Sequence, residues 1–430
     1  MKTSDTYPRF VTLNLLVLAL LSVSPSVAGD FEEPALLRSS DVLADKLREG
    51  SHHRVDKDVR SDGYINYYVL RSDYGDWEVA STPLLAVRVR EVEALAALDD
   101  VSKTEVFIKA AADAGVGQLK AIKEFATQPV ETITGIPKGI GRWFTRSKRD
   151  AEEAVAAAGE FLDGEDETGE GEAAPDDDSN VVMDLTEGYL GVSGAERAWA
   201  QELGTDPYTR NEVLRSAIKS VAWADRLGRF GMKFAPVPRI PGADVISEVN
   251  DVVWSKDPRE LEDLNRERLA AMGADDGLID EYLSNPLLTP TQLTYLTAAL
   301  TEMDGVAGLD GIIRQALMAT TEVEAGFFIK SVTMLAWYHL NKKPVVSVST
   351  EFAVPRAITE DGTAALVLAT DYVFWTDTVA TAADRFTALR DEDADRSLEL
   401  WLLGDMSART SEELTARNIQ VHTNLVEVAD

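Results

Sequence analysis

The sequence predicts a multidomain chain of α+β to α/β class: an N-terminal β-hairpin with helices, an acidic disordered linker, an irregular all-helical middle and a C-terminal βαβαβ unit. Three observations carry this. Two alternating, aromatic-rich segments flank a Gly-containing turn at 64–81, fifteen Asp and Glu with no Lys or Arg lie between Asp150 and Glu187, and apolar strand-like runs alternate with helical ones after residue 344. Period two marks strands and period 3.6 marks helices. A length of 430 residues fits several domains, and a hydrophobic content of 45% is enough for buried cores.

Lys2 and Arg9 precede an apolar run from Val11 to Leu21, and Ser26-Val27-Ala28 places small residues before Gly29. This is the pattern of a secretory signal peptide, residues 1–28, cleaved after Ala28. The run is shorter than the roughly 20 apolar residues of a spanning helix, so no transmembrane span is expected in the mature chain. The expected address is periplasmic or secreted. With no cysteine, the chain has no disulfides, thiolate zinc site, iron–sulfur cluster or cysteine nucleophile.

The N-terminal region, 29–159, opens with Tyr64–Leu70 and Asp76–Ser81 around the turn Arg71–Gly75, a hairpin signal. Val92, Leu95, Leu98, Val106 and Ile108 then take apolar positions in Ala-rich helical stretches. The segment 132–150 gathers Lys138, Arg142, Arg146, Lys148 and Arg149 beside Trp143 and Phe144. Rings that enter a headgroup layer next to cations that meet phosphates suit membrane-surface contact through 137–149; pairing with the acidic linker that follows suits the same charges.

Residues 160–180 form the predicted linker. Apart from Pro175, Asp163–Asn180 has no apolar side chain larger than Ala, so it cannot bury enough surface to offset backbone entropy. Asp176, Asp178, Asn180, Asp184 and Glu187 fall at the oxygen-ligand offsets of a calcium loop, which implies Ca2+ or another divalent cation. Val181 stands where the sharp turn calls for Gly. Asp391, Asp393 and Asp395 begin a second such pattern, interrupted by Arg396, and His52 and His53 beside Asp56 and Asp58 form a third metal candidate.

The helical domain, 181–344, carries cap signatures: Thr209 with Glu212, Asp257 with Pro258 and Glu260, and Thr289 with Pro290 and Gln292. They predict helix starts near Arg210, Pro258 and Pro290, with Gly273 stopping a helix near Met272. The α/β domain, 345–430, is expected to hold strands at Val345–Val348, Phe352–Pro355, Ala364–Ala369, Leu398–Leu403 and Ile419–Val421. Helices fall between them at about Thr376–Leu389 and after a cap at Thr410 with Glu413. Such a unit is parallel with right-handed crossovers, and its ligands bind beyond the C-terminal strand ends. There the sequence places Asp371, Asp405 and His422, a candidate catalytic or metal-binding set, although Asp after a strand is also common turn and capping chemistry.

The formal charge of −32 excludes a duplex nucleic-acid binder, which needs a basic face. No nucleophile elbow, phosphate loop, dinucleotide fingerprint or H-E-x-x-H motif occurs. The favoured reading is a non-enzymatic interaction or scaffold protein with a protein partner. The alternatives are a metal-assisted hydrolase using Asp371 and Asp405, and an envelope-associated protein docking through 137–149.

Overall fold

The computed structural model describes residues 31–113, 189, 191–224, 243–350, 354–391 and 393–425. The expected signal peptide, the basic segment 137–149, the predicted linker 160–180 and the calcium-like pattern at 176–187 lie outside the described residues. The described chain is of mixed α and β class, with sheets near both ends and helices between. No described helix is long and apolar enough to cross a membrane.

The predicted hairpin forms from β4 (Asn66–Ser72) and β5 (Gly75–Ala80), paired antiparallel from Tyr67↔Ala80 to Ser72↔Gly75. On its other side β4 pairs with β2 (His53–Val55) and then with β3 (Asp58–Ser61), and β1 (Leu37–Arg38) flanks β3. These three short strands escaped the pattern reading. The run at 64–70 is buried at every position but Val69, because both of its faces are covered. Tyr68 and Leu70 enter one core with Leu85, Val92 and Leu95, while Tyr64, Ile65 and Tyr67 enter another.

Two short helices, α1 (Ser39–Val42) and α2 (Asp45–Arg48), lie before the sheet, and α3 (Thr82–Ser102) and α4 (Glu105–Asp113) follow it. Val92, Leu95 and Leu98 are fully buried as expected, whereas Ile108 is 55% exposed. After the acidic segment the chain returns to this core: α5 (Gly194–Leu203) and α6 (Glu212–Val221) bring Trp199, Leu203, Leu214 and Ile218 against it. Helix α6 starts at Glu212 rather than near Arg210. Asn211 accepts from Leu214 N, and the Thr209 hydroxyl donates to buried Glu91 instead of capping.

Helices α7 (Ala243–Ser255), α8 (Pro258–Ala271), α9 (Asp276–Leu283), α10 (Pro290–Thr301), α11 (Leu309–Ala316) and α12 (Glu322–Asn341) form the middle. Both predicted capping boxes are present, at Asp257/Glu260 and Thr289/Gln292. Helix α12 is buried over most of its length and lies on the C-terminal sheet, where Ser331 Oγ accepts from Ala369 N at 3.0 Å.

That sheet has strand order β12-β10-β8-β7-β6. Strands β8 (Ala364–Leu368), β10 (Leu398–Leu402) and β12 (Ile419–His422) are parallel and joined through α13 (Asp377–Thr387) and α14 (Ala408–Ala416), the predicted βαβαβ unit. Strands β6 (Val345–Ser349) and β7 (Arg356–Thr359) add an antiparallel edge. The second strand therefore follows Pro355 instead of ending on it, since proline has no N–H for the ladder. Helix α14 is capped by Ser407, whose Oγ accepts from Thr410 N; the Thr410 hydroxyl donates to Val373 O. One apolar core runs without a break from Leu269 in the helices to Ile419 in the sheet.

Candidate functional site

Beyond the parallel strands the chain continues as a second, smaller parallel pair, β9 (Tyr372–Val373) and β11 (Asp405–Met406). The approach is close. Leu403 N, Gly404 N and Asp405 N donate to Leu368 O, Thr370 O and Asp371 O at 3.0, 2.9 and 3.1 Å. A Cβ on Gly404 would lie 1.9 Å from Asp371 O, so no other residue fits there without separating the two strand ends.

Asp371 is 7% exposed. Its Oδ1 accepts from Thr82 N and its Oδ2 from Asn66 N, each at 2.9 Å, and its own N donates to Tyr64 O at 2.8 Å. Thr82 is the first residue of α3, so this carboxylate satisfies a helix N-terminal N–H from 289 positions away. Burial outweighs the stabilising N–H groups and pushes the carboxyl up to about 6. Asp405, in contrast, is exposed, and its carboxylate accepts from Met406 N at 2.9 Å and Asn424 Nδ2 at 3.2 Å. His422 stacks on Trp401 with ring centroids 3.9 Å apart and planes 18° from parallel. The three predicted side chains thus have separate surroundings and share no polar contact among the described residues.

Glu32 ties a second point of the same edge. Its Oε2 accepts from Trp375 N at 2.6 Å and Ser407 Oγ at 2.5 Å, while its N donates to Trp375 O at 2.8 Å. Phe374 N donates to Gly63 O at 3.1 Å, and the Tyr64 hydroxyl lies 3.3 Å from Thr376 Oγ1. The N-terminal segment therefore occupies the strand-end edge where a ligand crevice is ordinarily sought. Pattern reading missed Glu32, Asn66 and Thr82, because the bonds join positions about 300 apart and leave no local spacing.

The metal candidates on described residues diverge. His52 Nδ1 lies 3.0 Å from Asp73, while His53 is buried against Gly50, and burial lowers its pKa. Asp56 binds Arg71 and Asp58 binds Arg38. Asp393 Oδ1 accepts from Asp395 N, a local turn. Among the described residues no three His, Asp or Glu side chains are arranged to hold a metal ion. Asp176, Asp178, Asn180, Asp184 and Glu187 lie outside them, as do Lys138, Arg142, Trp143, Phe144, Arg146, Lys148 and Arg149.

A further polar group sits inside the sheet. Glu399 accepts from Tyr338 Oη and Trp401 Nε1 at 3.0 Å each and pairs with Lys343 at 2.9 Å. Burial raises this carboxyl, but the three donors outweigh it and leave it below its ordinary value. A Glu inside the apolar strand Leu398–Leu402 was the visible signal for such a partner set. Comparison with family models, with curated proteins and with solved structures finds no match for this chain.

Proposed function

We propose that this chain is an exported, non-enzymatic interaction protein, working in the periplasm or outside the cell, whose strand-end edge serves as an internal joint. The observation that supports it most is the bonding of Asp371. Both of its oxygens are occupied by backbone N–H groups of the N-terminal region. A general base or metal ligand has to be reached by substrate or ion, and this carboxylate is buried. Asp405, the other strand-end carboxylate, is engaged with its own turn and with Asn424. In this reading the joint ties β4 and helix α3 to the C-terminal strand ends, and the strongly acidic chain meets a protein partner.

The test has two arms. Mature chain isolated from the producing cell should begin at Gly29 and cross-link saturably to one partner protein. Assays of phosphate-ester and carboxylic-ester hydrolysis with Ca2+, Mg2+, Mn2+ or Zn2+ should give the same background rate for the native chain and for Asp405→Asn. A metal-dependent rate lost in Asp405→Asn would overturn the reading in favour of a hydrolase.

A further inference from the structure

The parallel sheet is packed differently on its two faces. Trp401 and Glu399 of β10 face the aromatic helix α12, whereas Leu400 and Leu402 face α13 and α14 together with Leu366 and Leu368 of β8. On that second side α13 presents Ala382 and Ala383, residues too small to fill the distance to the leucines. The result is a partly open cavity of about 70 Å³ with an almost wholly apolar lining. At about 30 Å³ per water-sized group, the enclosed part holds roughly two or three groups of a chain, the rest of which extends through the open side.

One lining residue breaks the apolar pattern. Thr370 continues the alternation of Leu366 and Leu368, so its side chain lies on the same face of the strand. It is 1% exposed, and its Oγ1 has no hydrogen-bond partner among the described residues. A buried hydroxyl without a partner is costly, and such groups are rare. Tyr64, just ahead of β4, also lines the cavity, so the N-terminal region contributes one side chain to it.

We propose that this cavity is a binding site for a small neutral amphiphile: a short aliphatic chain carrying one hydrogen-bonding oxygen, of the alcohol or ketone class, which meets Thr370 Oγ1. Charge is excluded by the lining, which contains no Lys, Arg, Asp or Glu to pair with an ionised group. The net charge of the chain opposes a carboxylate further. The site does not depend on the protein-partner reading and stands or fails separately from it.

The experiment titrates 1-pentanol and pentane into the full chain and follows leucine methyl resonances by NMR. Saturable binding of both is expected, with shifts at Leu366, Leu368, Leu400 and Leu402. Thr370→Val keeps the shape and removes the hydroxyl. It should weaken 1-pentanol by about fivefold, the worth of one hydrogen bond, and leave pentane unchanged. Ala383→Leu fills the space and should abolish binding of both. Absence of saturable binding in the native chain, equal pentanol affinity in Thr370→Val, or binding that survives Ala383→Leu would each overturn the proposal.

Discussion

The ends of β8 and β10 are neighbours in one parallel pair, each delivers an aspartate, and the two aspartates do different things. Asp371 is buried and bonded to two amides of a distant region, while Asp405 is exposed and bonded locally. What differs is the covering. The segment from Glu32 to Thr82 lies over the first strand end and turns its carboxylate into a cap for α3. A strand-end position is therefore a place where chemistry is possible, and the surroundings assign the role.

The comparison can be broken in graded ways. The largest effect is expected from Gly404→Ala, which forces a Cβ against Asp371 O and must part the two strand ends. Urea unfolding should show a loss above about 3 kcal/mol, in the upper range for single substitutions. Asp371→Asn comes next. Its NH2 faces an N–H donor in either orientation, leaving one buried amide without a partner, at a cost of about 1–3 kcal/mol near neutral pH.

That second effect depends on pH, with a fixed sign. Asp371 is held near 6 in the folded chain against 3.8 otherwise, so the folded state binds this proton more tightly than the unfolded one. The associated stability is fully present below pH 3.8 and is lost as pH rises through 6. The penalty of Asp371→Asn is then greater at pH 4 than at pH 7, by at most about 3 kcal/mol, and thermal unfolding of both proteins at the two pH values checks it. Glu32→Ala removes the accessory tie and should cost about 1 kcal/mol by the same unfolding assay. Asp405→Asn should stay within about 0.5 kcal/mol of the native chain, as exposed substitutions do. Smallest of all, the intact chain should show no salt-sensitive binding to anionic vesicles, because its net negative charge opposes what Lys138 to Arg149 attract. Binding lost in Trp143→Ala with Phe144→Ala would instead support the envelope-docking alternative.

What was legible in the sequence was local. Asp257 with Glu260 and Thr289 with Gln292 capped helices at the expected residues, because a capping box is complete within four positions. The hairpin and the βαβαβ unit followed from period and turn residues. Thr209 and Thr410 misled for one reason: each hydroxyl donates outside its own helix start, to Glu91 and to Val373 O, and Asn211 and Ser407 take the caps. The joint at Asp371 was invisible as such, since its partners are backbone amides, which every sequence contains. The cavity was equally hidden, because Ala382 and Ala383 read as ordinary helix formers until the opposing leucines are in place.

Amide hydrogen exchange at Asn66 and Thr82 tests the joint most directly. The two N–H groups should be protected in the native chain, remain so in Asp405→Asn, and lose protection together in Asp371→Asn while the amides within β10 keep theirs. Unchanged protection of Asn66 and Thr82 in Asp371→Asn would contradict the assignment of this carboxylate to architecture.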